Sequence, residues 1–168
     1  MALFTMKLEN LEQLFVQELR DAYDMEDQIT EALPKMIEAA HYPQLKNALQ
    51  QHLNVTNQQV KRLDQVFDIL GEDASGKTCK GIKGIIKEGE DIISQGGDDA
   101  TIDAGIISAA QHVEHYEIAS YGTLRTYAEL LGQQQIARLL QQTLDEEKEA
   151  DEKLTEIARS VNIQAKAA

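Results

Sequence analysis

The chain is poor in several things at once, and each shortage excludes a class of protein. It has one cysteine, Cys79, so no disulfide forms within it, and a reducing compartment is expected. It has 16 Lys and Arg against 29 Asp and Glu, a formal net charge of −13. That balance argues against a nucleic-acid surface, which needs clustered cations to neutralise phosphates. No apolar run approaches the roughly 18 residues that would span a membrane. Met1 to Lys7 lacks the basic start and long apolar stretch of a signal peptide, so a cytoplasmic location is expected. Only two prolines and 5% aromatic residues accompany 42% hydrophobic residues, a globular composition rather than a disordered one. At 168 residues the chain is long enough for one domain with a substantial core.

What is present is helical periodicity, in four long segments. The first runs from about Leu8 to Ala40, with Leu8, Leu11, Phe15, Leu19, Ala22, Glu26, Ile29, Leu33 and Met36 on one side. Pro34 lacks a backbone donor, so a kink or restart is expected there. After His41-Tyr42-Pro43 a second helix spans Gln44 to Leu70, aligning Leu45, Leu49, His52, Thr56, Val60, Leu63 and Phe67, and ends at Gly71. The third starts near Asp98 or Asp99 and ends at Gly132; the fourth covers about Gln133 to Val161, with a frayed tail over 162–168. Residues 71–98 form a glycine-bearing crossover with one short amphipathic helix around Ile82, Ile86 and Ile93. This aliphatic stripe would either pair two protomers or close one end of the bundle. Strand signals are nearly absent. Two hairpins joined by one long crossover predict an all-α, ferritin-like four-helix bundle over residues 1–168.

Carboxylates interrupt the apolar stripes. The third helix reads Ile107, Ala110, Glu114, Glu117, Tyr121, Leu124, Ala128, Leu131, and the fourth reads Ile136, Leu140, Thr143, Glu147, Ala150, Leu154, Ile157. An ionised carboxylate facing a core is costly unless a cation compensates it or protons are shared. Glu117 lies 15 residues before Gly132 and Glu147 lies 15 after it, so both sit at one level of their hairpin. Glu26 and Thr56 stand in the same relation to His41. Hard oxygen donors with an imidazole suit iron or manganese, and several carboxylates allow a dinuclear centre. The expected ligands are Glu26, His52, Glu114, Glu117 and Glu147, with Tyr23, Tyr116 or Tyr121 as hydrogen-bonding support and Asp151 and His115 as weaker candidates. The plainer reading makes Glu147 part of a solvated acidic face with Glu146, Glu149 and Glu152, and His52 a core histidine. His41 and His112 are expected in solvent.

One competing motif spans Gly71 to Thr78, which matches Gly-x4-Gly-Lys-Thr letter for letter. Phosphate cradling needs a strand before that loop, and Val60 to Leu70 continue a helical period instead. A nucleotide site is therefore not expected.

From Tyr23 to Ile157 the chain resembles the YciE/YciF-like bacterial stress proteins, a ferritin-like family. The resemblance rests on Glu18-Leu-Arg-Asp-Ala-Tyr-Asp-Met-Glu26, His52-Leu53, the Gly-Lys-Thr-Cys79 segment, Val113-Glu-His-Tyr-Glu-Ile-Ala-Ser-Tyr-Gly122 and Leu144-Asp-Glu-Glu-Lys148 with Asp151. It implies a four-helix bundle with a dinuclear metal site, a homodimer, and a role in general or oxidative stress. Relatives tend to carry glutamates just after the second-helix histidine, where this chain has Asn54 and Val55. Two functions follow. One is a metal-handling stress protein acting on iron, manganese, oxygen or peroxide. The alternative is a non-catalytic interaction bundle with a degenerate centre.

Overall fold

Asn10 opens the first helix, its side chain accepting the Gln13 backbone N–H at 2.9 Å. This satisfies one of the donors that a helix start leaves free. From there α1 runs Leu11–Ala39 in the computed structural model, which describes residues 8–168; Met1 to Lys7 lie outside them. The helix does not restart at Pro34, because Ile29 and Leu33 before it are anchored in the core at 2% and 4% exposure. Helix α2 follows over Pro43–Leu70, with its proline at the helix start, where a missing N–H costs nothing. Gly71 closes it in the left-handed conformation at φ 67°.

The crossover carries α3, Lys80–Gln95, a full 16-residue helix rather than a short one. Helix α4 covers Asp99–Leu130, capped by the Asp98 carboxylate on the Thr101 N–H. Helix α5 covers Gln134–Ala167. The expected frayed tail is therefore helical to within a residue of its end. Buried Val161 anchors it, and the alanines and Lys166 that follow favour a helix C-terminus. Among the described residues there is no strand.

Cross-helix pairs fix the directions. Tyr23 donates to Asp64, and Arg62 donates to Thr143. Gln111 donates to Thr155 near the pair of His115 with Asp151, and Tyr121 donates to Glu26. Helix α1 thus packs antiparallel to α2, α2 to α5, α5 to α4 and α4 to α1, which closes a ring. In such a ring α2 and α4 run the same way, so the chain must travel the full length between them. Helix α3 makes that return while covering α1 and α4. Its aliphatic stripe is spent on this packing: Ile82 is fully buried, and Ile86 and Ile93 are half-buried against the core.

Two glycines set how closely α3 approaches. A Cβ at Gly105 would lie 2.5 Å from the Ile92 side chain, and one at Gly81 would lie 2.5 Å from the Tyr116 hydroxyl. At the far end Asp103, 2% exposed on α4, accepts the backbone N–H groups of His41 and Tyr42 at 2.8 and 2.7 Å. It ties the α1–α2 turn to the second hairpin.

Candidate metal centre

Four helices send polar side chains into the same buried interior. Glu26, Glu117 and Glu147 have no exposed surface; Glu114 retains 2% and His52 9%. A solvated face for Glu147 is ruled out by its burial, while Glu149 and Glu152 are exposed as expected of such a face. Ligand atoms from His52, Glu114, Glu117 and Glu147 all lie within 4.8 Å of one another. His52 Nε2 is 3.4 Å from Glu114 and 3.9 Å from Glu147. Glu26 stands beside this group, facing Glu117 and accepting the Tyr121 hydroxyl.

The donors in the cluster are too few for its acceptors. One oxygen each of Glu26, Glu114 and Glu147, both oxygens of Glu117 and the Nε2 of His52 are buried without a hydrogen-bond partner. Native interiors seldom leave such atoms orphaned unless an ion or water completes them. The electrostatics agree. Burial, reinforced by Glu147, pushes the Glu26 carboxyl well above the usual carboxylate range, against the pull of Tyr121, Glu117 and Arg62. Burial likewise raises Glu114 and Glu117, and their carboxylate neighbours add to the shift. Burial lowers His52, against the pull of Glu147 and Glu146, which favours the neutral imidazole that cation binding needs.

Around the cluster is a polar support. Gln59, fully buried on α2, donates to Glu147 and, at 3.1 Å, to Glu146. Arg62, 8% exposed, grips both Glu146 oxygens at 2.8 and 2.9 Å and reaches Thr143 at 2.6 Å. Burial opposes ionisation of Glu146, but the Arg62 guanidinium with Gln59 and Gln142 holds its carboxyl below the ordinary value. Gln59 and Arg62 were not legible as core residues. The second-helix stripe expected Val60 inside, whereas the helix turns Gln59 inward and leaves Val60 half-buried. In the polar run Asn57-Gln58-Gln59 and beside Lys61, neither Gln59 nor Arg62 gives a period signal of its own.

The remaining candidates separate cleanly. Tyr121 alone of the three tyrosines supports the cluster; Tyr23 bonds Asp64, and Tyr116 meets Cys79 at 3.4 Å. Asp151 pairs with His115 near the surface, outside the cluster. Thr56 is at the expected level and fully buried, but its hydroxyl is committed to the His52 carbonyl at 3.0 Å. Asn54 is exposed and Val55 half-buried, so the residues that depart from the family pattern are not among those lining the cluster. His41 is 49% exposed and His112 is also exposed, as expected. The Gly71–Thr78 segment has no strand before it, and Lys77 lies 3.7 Å from Glu18 and 3.4 Å from Asp21. That lysine is engaged by carboxylates, not poised for phosphate.

The family described as Domain of unknown function (DUF892) matches residues 10–168. The chain belongs to this family. It is 42% identical to Protein YciF of Escherichia coli (strain K12) over 154 residues, 91% of this chain and 93% of that protein. The crystal structure of the E. coli stress protein YciF superposes with a TM-score of 0.89 at 41% identity, covering 92% of this chain and 98% of that one. YcfI from Rhodopseudomonas palustris, a candidate structural protein, gives 0.88 at 47% identity, covering 91% and 98%. The resemblance to YciF-like stress proteins is thereby shown along nearly the whole chain. No helix among the described residues is long and apolar enough to cross a membrane.

Proposed function

We propose that this protein is a ferritin-like four-helix bundle that holds iron or manganese in its core and serves a stress response. The observation that carries this reading is the convergence of six buried, unpartnered acceptor atoms from Glu26, His52, Glu114, Glu117 and Glu147. Carboxylate oxygens with one imidazole nitrogen form a donor set suited to a divalent first-row cation. His52, Glu114, Glu117 and Glu147 would hold one ion, and Glu26 with the second oxygens of its neighbours would serve another. Charge supports two: four buried carboxylates carry −4, which two divalent ions neutralise. With one ion, two of the carboxyls would have to keep protons.

The protein's own residues do the positioning. Gln59, shared between Glu147 and the Arg62-held Glu146, orients Glu147, and Tyr121 orients Glu26. A bound redox-active ion supplies electron transfer to oxygen or peroxide, or is itself the stored cargo. The stress role rests on the likeness to E. coli YciF, and a cytoplasmic homodimer completes the reading.

Elemental analysis of protein reconstituted with Fe(II) or Mn(II) and then desalted tests it. About two ions per chain are expected, and the Glu114→Ala, Glu117→Ala double variant should lose them while remaining helical by circular dichroism. Fewer than about 0.3 ions per wild-type chain would refute the metal reading. The second reading, an interaction bundle without turnover, is favoured by the uncharged Gln59 and Thr56 on α2. It would be chosen if the iron-loaded protein consumed neither oxygen nor peroxide and instead captured a specific partner.

A further inference from the structure

A cavity of about 30 Å³ lies between α1, α3 and α4, and its wall includes two residues of the cluster, His52 and Glu114. The rest of the wall is almost entirely aliphatic, with Ile29, Ile86, Ala109 and Val113 prominent. Its outer lining includes the exposed Lys35, which pairs with Glu90 of α3 at 2.9 Å. The lining thus includes both an ion pair at the surface and two residues of the core cluster.

Size and polarity decide what it can hold. A buried water needs two to four polar partners and roughly 10–15 Å³. The volume is sufficient for that, but along the aliphatic walls the partners are missing. A hydrocarbon chain or an aromatic ring does not fit into about 30 Å³. A diatomic gas or a single xenon atom does, since apolar cavities stay dry and take up such species. His52 and Glu114 form its inner end, so whatever occupies the cavity sits against the edge of the cluster.

We propose that this cavity is the binding and entry site for a small apolar gas of the dioxygen class, which it delivers to the His52–Glu114 edge of the cluster. The delivery rests on the metal reading above; the gas site itself does not. Crystals of the metal-free protein pressurised with xenon separate the two. Xenon is expected in the cavity between Ile29, Ile86 and Ala109, located by its anomalous scattering. Ile86→Phe, placed on half-buried α3, should expel it with the metal content unchanged, and Ala109→Leu provides an independent filling variant. No xenon in the wild type would overturn the gas site. Xenon in a chain that takes up no metal would leave the gas site standing and sink the metal reading. In the iron-loaded protein, the filling variants should slow dioxygen consumption about tenfold at equal iron content. An unchanged rate would overturn the cavity as the route.

Discussion

Replacing Glu117 by glutamine swaps a buried carboxyl for a neutral group of the same shape, which gives a signed pH test. Glu117 has both oxygens buried and unpartnered beside Glu26, Glu114 and Glu147. Ligand atoms of Glu114, Glu117 and Glu147 lie within 4.8 Å of one another; even at that distance two charges repel by roughly 3–4 kcal/mol at an effective dielectric near 20, so without a cation these carboxyls retain protons. Their folded-state pKa values lie above the unfolded ones. A raised pKa contributes stability that is fully present below the unfolded value, near pH 4, and is lost as pH rises through the folded value. Metal-free wild type should therefore lose stability from mildly acidic to mildly alkaline pH relative to Glu117→Gln, which has one such group fewer. Mn(II) at about 100 times its Kd should add about 2.7 kcal/mol for each ion bound. At about 2–4 °C per kcal/mol for a chain of this size, the melting temperature should rise about 5–11 °C per ion near pH 7.5, and less near pH 5.5 where protons compete. Glu117→Gln should show little of that rise. Differential scanning fluorimetry over pH, with and without Mn(II), measures both effects. Parallel pH profiles for the two proteins, or an undiminished Mn(II) shift in the variant, would refute the reasoning.

Three further outcomes follow from other residues. Arg62→Ala leaves Glu146 and Thr143 without their partner in a mostly buried setting, and should cost about 3 kcal/mol of unfolding free energy by urea titration. Asp103→Ala removes the acceptor of two backbone N–H groups at the α1–α2 turn; a loss of about 3 kcal/mol is expected, and a neutral effect would show that water replaces it. ATP with magnesium at millimolar concentration should produce no heat by titration calorimetry, because Lys77 faces Glu18 and Asp21.

Much of the candidate site was legible because helical periodicity is a local property. Glu114, Glu117 and Glu147 fall on stripes whose other members are nearly all apolar, and a helix has only one way to place residues three and four apart. The same arithmetic aligned Glu26 with them through equal distances from two turns. It failed along α2, where Gln59 and Arg62 are as polar as any exposed residue. Their burial depends on acceptors 80 or more positions away in α5. Asp103 was silent for the same reason: a lone acid in a helix says nothing until the turn it clamps is folded against it.

The sequence alone determined the all-helical class, the four long segments and the inward direction of the glutamates, since each follows from backbone geometry repeated over a few turns. Only the tertiary structure decided which inward groups meet. It brought His52 to Glu114, set Glu26 beside rather than within the tight cluster, and gave Tyr121, Gln59 and Arg62 their acceptors. It also opened the aliphatic cavity under α3. Helix periodicity fixes a direction on one rod, whereas the distance between two rods depends on how every side chain between them packs.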